Sequence, residues 1–172
     1  MPSISNRTVC RLQIQGFSGS TPQQLAEYRF GIRFAYLACG TIAILGLAFV
    51  NIPTLAFLAV VALLGVLLPN HPFDYIYNYG IRHIAKRPPI PNRTAQIKFA
   101  CAVATVWLVV TVILFNFHYV FFGRLWGSLL VASALLVGST DICIPSMIYN
   151  LTTKRKINPF QQPATDTSTT EG

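Results

Sequence analysis

Charge is what this sequence lacks. Only 10% of its residues are Asp, Glu, Lys or Arg, where a soluble domain carries about 25%. Lipid can solvate so apolar a chain, 53% hydrophobic, where water cannot, so an integral membrane protein fits better than a soluble globule. Further absences narrow the field. No apolar core of signal-peptide length follows the basic residues of 1–15, so the first apolar stretch reads as a retained span rather than a cleaved leader. No C-x-x-C pair occurs, and three scattered histidines make no zinc or haem signature. No convincing internal repeat is present. The basic residues come without an aromatic-rich soluble module, which argues against nucleic acid as a partner despite a net charge of +8.

What is present is a pattern of basic blocks. All thirteen Lys and Arg except Arg124 fall in three groups around four apolar stretches. Arg7, Arg11, Arg29 and Arg33 precede the first stretch. Arg82, Lys86, Arg87, Arg93 and Lys98 lie between the second and third. Lys154, Arg155 and Lys156 follow the fourth. Basic residues on alternate sides of four apolar segments predict four spans with both termini cytoplasmic. The fold class expected is all-α: an integral membrane four-helix protein of two transmembrane hairpins, with spans at about 32–50, 53–68, 95–115 and 125–147. Residues 1–30 read as a polar cytoplasmic segment, 31–151 as the membrane domain and 152–172 as a largely disordered cytoplasmic tail.

Local signals refine this. Thr21-Pro22-Gln23-Gln24 has the form of a helix start, with Thr21 as N-cap, Pro22 in the first turn and Gln24 three residues on. Phe73, Ile76, Tyr77, Ile81 and Ile84 recur at near-helical spacing, which predicts an amphipathic interfacial helix between spans two and three. Arg82, Lys86, Arg87 and Arg93 would face lipid head groups there. Gly80 should weaken or bend that helix, and Pro145 should kink or end the fourth span.

Three kinds of residue could carry chemistry. Counted from the basic side, Cys39, Cys101 and Cys143 lie about two turns deep. Thiols at one depth could hold a soft metal or exchange disulfides, although cysteine is also a common buried small hydrophobe. Asp141 is an intramembrane acid, which marks a functional site by default. Its structural alternative is pairing with Arg93, Lys98 or Arg33 to lock the fourth helix. His71, His83 and His118 are candidate cofactor ligands, including for the magnesium of a pigment, and Asp74 with Arg82 reads as a local ion pair. The sequons at Asn6, Asn92 and Asn150 all fall on the expected cytoplasmic side, so they are discounted.

Together, several of these motifs resemble a known family. His71-Pro72-Phe73-Asp74, Tyr77-Asn78-Tyr79-Gly80-Ile81-Arg82-His83, the prolines 88, 89 and 91 before Arg93, Lys98-Phe99-Ala100-Cys101 and Asp141 through Tyr149 are similar to a bacterial membrane family known as domain of unknown function 4395, over roughly residues 30–152. Many members end the last span with C-x-x-C, and some are associated with thioredoxin or rhodanese proteins. The resemblance therefore implies thiol or sulfur handling. Here Ser146 stands in the second position, giving C-x-x-S, which leaves Cys143 as a single thiol, a carrier or a point of attack.

The functional expectation is a small multi-pass protein of the bacterial inner membrane, a non-catalytic accessory subunit packed against other membrane proteins and lipids. The alternatives are a membrane thiol protein acting through Cys143, with Cys101 and Asp141 nearby, and a small transporter using Asp141. No resident metal or other cofactor is strongly implied, with a soft metal or a pigment as the two candidates.

Overall fold

A computed structural model describes residues 4–153 of the chain. The polar tail and the Lys154–Lys156 block lie outside the described residues.

Every regular element among the described residues is helical. A short helix α1 (Asn6–Ile14) leads into α2 (Pro22–Ala48), and Asn51 caps α3 (Ile52–Leu67). Three short pieces follow: α4 (Pro72–Ile76), a π-helical turn (Tyr77–Ile81) and α5 (Arg82–Ala85). Then come α6 (Ala95–Asn116), α7 (Val120–Thr140) and α8 (Ile144–Thr152). Helices α2, α6 and α7 are long and apolar enough to cross a membrane. At 16 residues, α3 is about 24 Å long, short of the roughly 30 Å hydrocarbon core. The segment after it, Pro72–Ala85, turns away by 82°.

The helix ends follow their capping chemistry. The Thr21 hydroxyl accepts from the Gln24 N–H, while the Gln24 side chain accepts from the Thr21 N–H, closing a capping box with Pro22 in the first turn. At the other end of the chain, α7 stops at Thr140 because Asp141 takes a left-handed conformation, φ 61°. Contrary to what the sequence suggests, Pro145 neither kinks nor ends the fourth long helix. It occupies the first turn of the separate helix α8, where a missing N–H costs nothing. Likewise α7 begins at Val120 rather than 125, taking in the aromatic run.

The four longest helices form a closed ring. Helices α2 and α3 make one hairpin and α6 and α7 the other, with α3 laid against α6 and α2 against α7. Side chains fit large into small at the end of the ring holding the two tight turns, here the turn end. The Phe115 ring fills the gap left by Gly123, and Leu47 fills that left by Gly127. With Leu55, these side chains are buried in one cluster. Arg124 donates to the Ala48 carbonyl at the end of α2.

The opposite end, here the basic end, carries more than a polar fringe. Helix α1 is not part of a solvated segment: Val9, Cys10, Leu12 and Ile14 are buried, with Val9 and Leu12 in a core cluster with Leu25, Tyr77 and Ile97. Polar side chains tie it down. Asn150 donates to the Ile14 carbonyl, Gln96 donates to Asn150, and Thr94 donates to the Gln15 carbonyl. The segment 72–85 also departs from a simple amphipathic helix. Tyr77 points inward and is fully buried, whereas Ile76 and Ile84 are exposed. The π-helical turn around Gly80 re-phases the face between them.

Candidate functional site

The ring is hollow towards its basic end, because small residues face small residues there. A Cβ at Gly40 would meet Ala134 at an ordinary 3.6 Å, and Ala35, Ala43, Ala62, Ala100 and Ala104 line the same space. The result is a cavity of about 400 Å³, within the range of small-molecule sites. Its walls are largely apolar, with Trp107, Leu108 and Leu129 among them.

Six other side chains give it a chemical character. Tyr36, Cys39, His71, Arg93, Cys101 and Cys143 all line it. Cys39 comes from α2, Cys101 from α6 and Cys143 from the link between α7 and α8, so three separate elements deliver three free thiols to one chamber. Cys143 is the N-cap residue of α8. Burial raises the pKa of the Cys143 thiol, and the Ser146 hydroxyl, which donates to its sulfur at 3.1 Å, offsets part of that rise. The helix N-terminus also favours negative charge there.

A buried ion pair holds the wall. The Arg93 guanidinium grips Asp74 through two nitrogens, one at 2.6 Å, and lies 5.6 Å from the centre of the Tyr36 ring. Asp74 in turn accepts from the His71 N–H, closing the cap of α4. These contacts reassign two residues. Asp74 pairs with Arg93 and not with its near neighbour Arg82. Arg93 is not a lipid-facing residue: its backbone N–H is held by the Pro69 carbonyl, which brings its side chain inward. Lys86, Arg87 and His83 are exposed and Arg82 is half-buried.

His71 is placed by two constraints. Its Nδ1 accepts from the Phe73 N–H, and its ring passes so close to Gly65 that a Cβ there would lie 2.4 Å from the ring carbon Cδ2. The same point is 3.2 Å from both His71 Nε2 and Cys101 Sγ, so imidazole and thiol are neighbours. His71 lies outside the helices long enough to span. Burial, with a smaller push from the Arg93 charge, lowers its pKa from 6.5 to about 4. His118 lies exposed in the turn between α6 and α7 and does not line the cavity.

Asp141 belongs to a different structure. Its carboxylate takes Arg33 at 2.8 Å and Arg29 at 2.8 Å. The carbonyls closing α7 are capped as well: Arg33 donates to Ser139, Arg11 to Thr140 and Gln15 to Asp141. Basic groups on the last carbonyls of a helix satisfy orphan acceptors and oppose the helix dipole. Of the partners expected for Asp141, Arg33 is present, while Arg93 is engaged with Asp74 and Arg29 takes the place given to Lys98. Asp141 does not line the cavity.

Among the described residues, no group of three His, Cys, Asp or Glu is arranged to hold a metal ion. Cys39, Cys101 and Cys143 therefore do not form a ready-made ligand set. Tyr36 carries no sequence motif. Its only signal is a phenol inside an apolar span, one turn after Arg33 and one before Cys39.

With only helices as regular elements among the described residues, and three of them long and apolar, this is a membrane protein, built around an apolar chamber that several polar side chains also line. Residues 29–154 match the family model described as a domain of unknown function, DUF4395, and the chain belongs to that family. No curated protein and no solved structure matches it.

Proposed function

We propose that this protein is a four-span membrane thiol protein of the bacterial inner membrane, with α3 as the fourth span and the basic end in the cytoplasm, and that it handles sulfur or redox equivalents through Cys143. The observation that carries this reading is the convergence of Cys39, Cys101 and Cys143 on one cavity, with Cys143 at a helix N-terminus and hydrogen-bonded by Ser146. The chemistry is thiol exchange. The Cys143 thiolate attacks a sulfur of a partner's disulfide or persulfide, the new S–S bond forms on Cys143, and the partner leaves as a thiolate. Ser146 cannot resolve that bond as a second cysteine would. Release falls to an incoming thiol or to another thiol of the chamber.

The basic blocks support the orientation, since Arg11, Arg29 and Arg33 gather at the end where α8 and Cys143 lie. An accessory-subunit role has only exposed apolar surface such as Phe121 and Phe122 behind it, and lipid accounts for that surface. A transporter using Asp141 loses its support, because both carboxylate oxygens are held by arginines away from the cavity.

Rapid alkylation of growing cells followed by mass spectrometry of the purified chain tests the proposal. A fraction of Cys143 should carry a persulfide or mixed disulfide, and Cys143→Ser should remove that species from the protein. A Cys143 that is a free thiol under every growth condition would contradict it.

A further inference from the structure

The chamber holds two hydrogen-bond donors that no well-formed hydrogen bond satisfies. The Tyr36 hydroxyl is shut off from solvent and makes no well-formed hydrogen bond among the described residues, although it lies near the Cys143 thiol. A buried polar group left this way costs about 1–3 kcal/mol and calls for an explanation. His71 offers a second donor. Its Nδ1 is occupied as an acceptor, so the neutral ring carries its proton on Nε2, and Nε2 makes no hydrogen bond among the described residues.

What these donors await follows from their surroundings. The Arg93 charge is neutralised by Asp74, so the wall carries no spare charge for an anionic or cationic head group. The remaining lining is apolar and formed by small side chains and Trp107. The complement is a neutral, apolar molecule whose polar atoms only accept. We propose that the cavity binds a quinone with an isoprenoid or alkyl tail, its carbonyl oxygens taking hydrogen bonds from Tyr36 and His71 and its tail lying along the Ala104, Trp107 and Leu129 wall. A quinone ring presents two acceptor oxygens for two donors, which a single-carbonyl lipid does not. This inference deepens the thiol reading by naming the small molecule of the same chamber, and it rests on that reading for its biological sense.

The protein reports on this site by itself. Its only two tryptophans are stacked, Trp107 on Trp126 at 4.3 Å between ring centres, and Trp107 lines the cavity. The full chain, purified in detergent, is titrated with a ubiquinone analogue bearing a ten-carbon tail, whose fully substituted ring cannot add thiols. Tryptophan fluorescence should be quenched saturably. Tyr36→Phe, which removes only the hydroxyl and should leave the fold intact, should weaken binding about fivefold to tenfold, the worth of one neutral hydrogen bond. Ala104→Leu, which narrows the chamber, should abolish saturation. Quenching that rises linearly with quinone in the micelle, an affinity untouched by Tyr36→Phe, or equal competition by the same tail ending in a methyl group would each overturn the proposal. Cys143→Ser should still bind the quinone. Saturable binding to a protein whose Cys143 is never modified would refute the thiol reading alone. Modified Cys143 without quinone binding would refute this inference alone.

Discussion

The two ends of the helix ring are built from similar residues and pack differently. At the turn end, Phe115 and Leu47 fill the spaces left by Gly123 and Gly127, and Leu55 completes the cluster. At the basic end, Gly40 faces Ala134, cysteines and alanines line the gap, and a cavity remains. Small residues bring membrane helices close in both places. Whether they close the interior depends on what stands opposite. The turn end is a scaffold, while the basic end keeps a volume open and surrounds it with thiols, a histidine, a phenol and a buried ion pair.

The sharpest way to break this contrast is through the ion pair. Asp74→Ala would leave the Arg93 guanidinium, whose side chain is 4% exposed, with no counter-charge. The expected loss is about 3–5 kcal/mol, read as a large drop in thermal unfolding temperature in detergent. A loss no greater than that of a surface substitution would mean that water already reaches Arg93. Next, the two ends should respond oppositely to volume. Leu55→Ala at the turn end should cost about 2–4 kcal/mol by opening a void in a packed cluster. Ala104→Leu at the basic end should cost less than about 1 kcal/mol, because the space for it already exists. Equal losses at both sites would show that the chamber is closed in solution.

Asp141→Asn should be milder than Asp74→Ala. Its arginines are 31% and 26% exposed, so solvent screens the pair and reduces the loss to about 1–2 kcal/mol. A separate, pH-dependent effect is titration of His71. Its folded pKa of about 4 lies below the unfolded value of 6.5, so the unfolded chain binds the extra proton between those values. Stability should therefore rise as pH increases from about 4 to 6.5 and level off above, and His71→Gln should flatten that slope.

The sequence makes the long elements legible because lipid enforces a simple pattern. Apolar runs and basic flanks locate α2, α6 and α7, and Thr21-Pro22-Gln23-Gln24 marks the start of α2 to the residue. The basic end is less legible because its contacts join residues far apart in the chain. Nothing local distinguishes Arg82 from Arg93 as the partner of Asp74; the choice is made when the Pro69 carbonyl holds the Arg93 backbone. Helix α1 hides for the same reason. Val9 and Leu12 sit among polar residues, and only the polar ties from Thr94 and Asn150 to the chain around Ile14 and Gln15 show that this segment is packed down. The end of α7 was written in a residue whose left-handed backbone is paired to arginines from α2, while Pro145, the louder signal, marks a beginning instead of an end. For the site, counting helical turns puts Cys39, Cys101 and Cys143 at one depth. It cannot give the lateral convergence on a cavity, or the roles of Tyr36 and His71 in its wall.

Two cysteines of nearly equal burial offer the most direct test. Cys10 is 4% exposed and Cys143 3%, yet Cys143 borders the cavity and Cys10 does not. The folded protein is treated with methyl methanethiosulfonate, a small membrane-permeant thiol reagent, and each cysteine is followed by mass spectrometry. A working chamber predicts that Cys143 reacts at least about tenfold faster than Cys10 and that Ala104→Leu slows Cys143 selectively. Equal rates for the two, appearing only as the protein unfolds, would contradict the claim that the basic end holds an accessible thiol site.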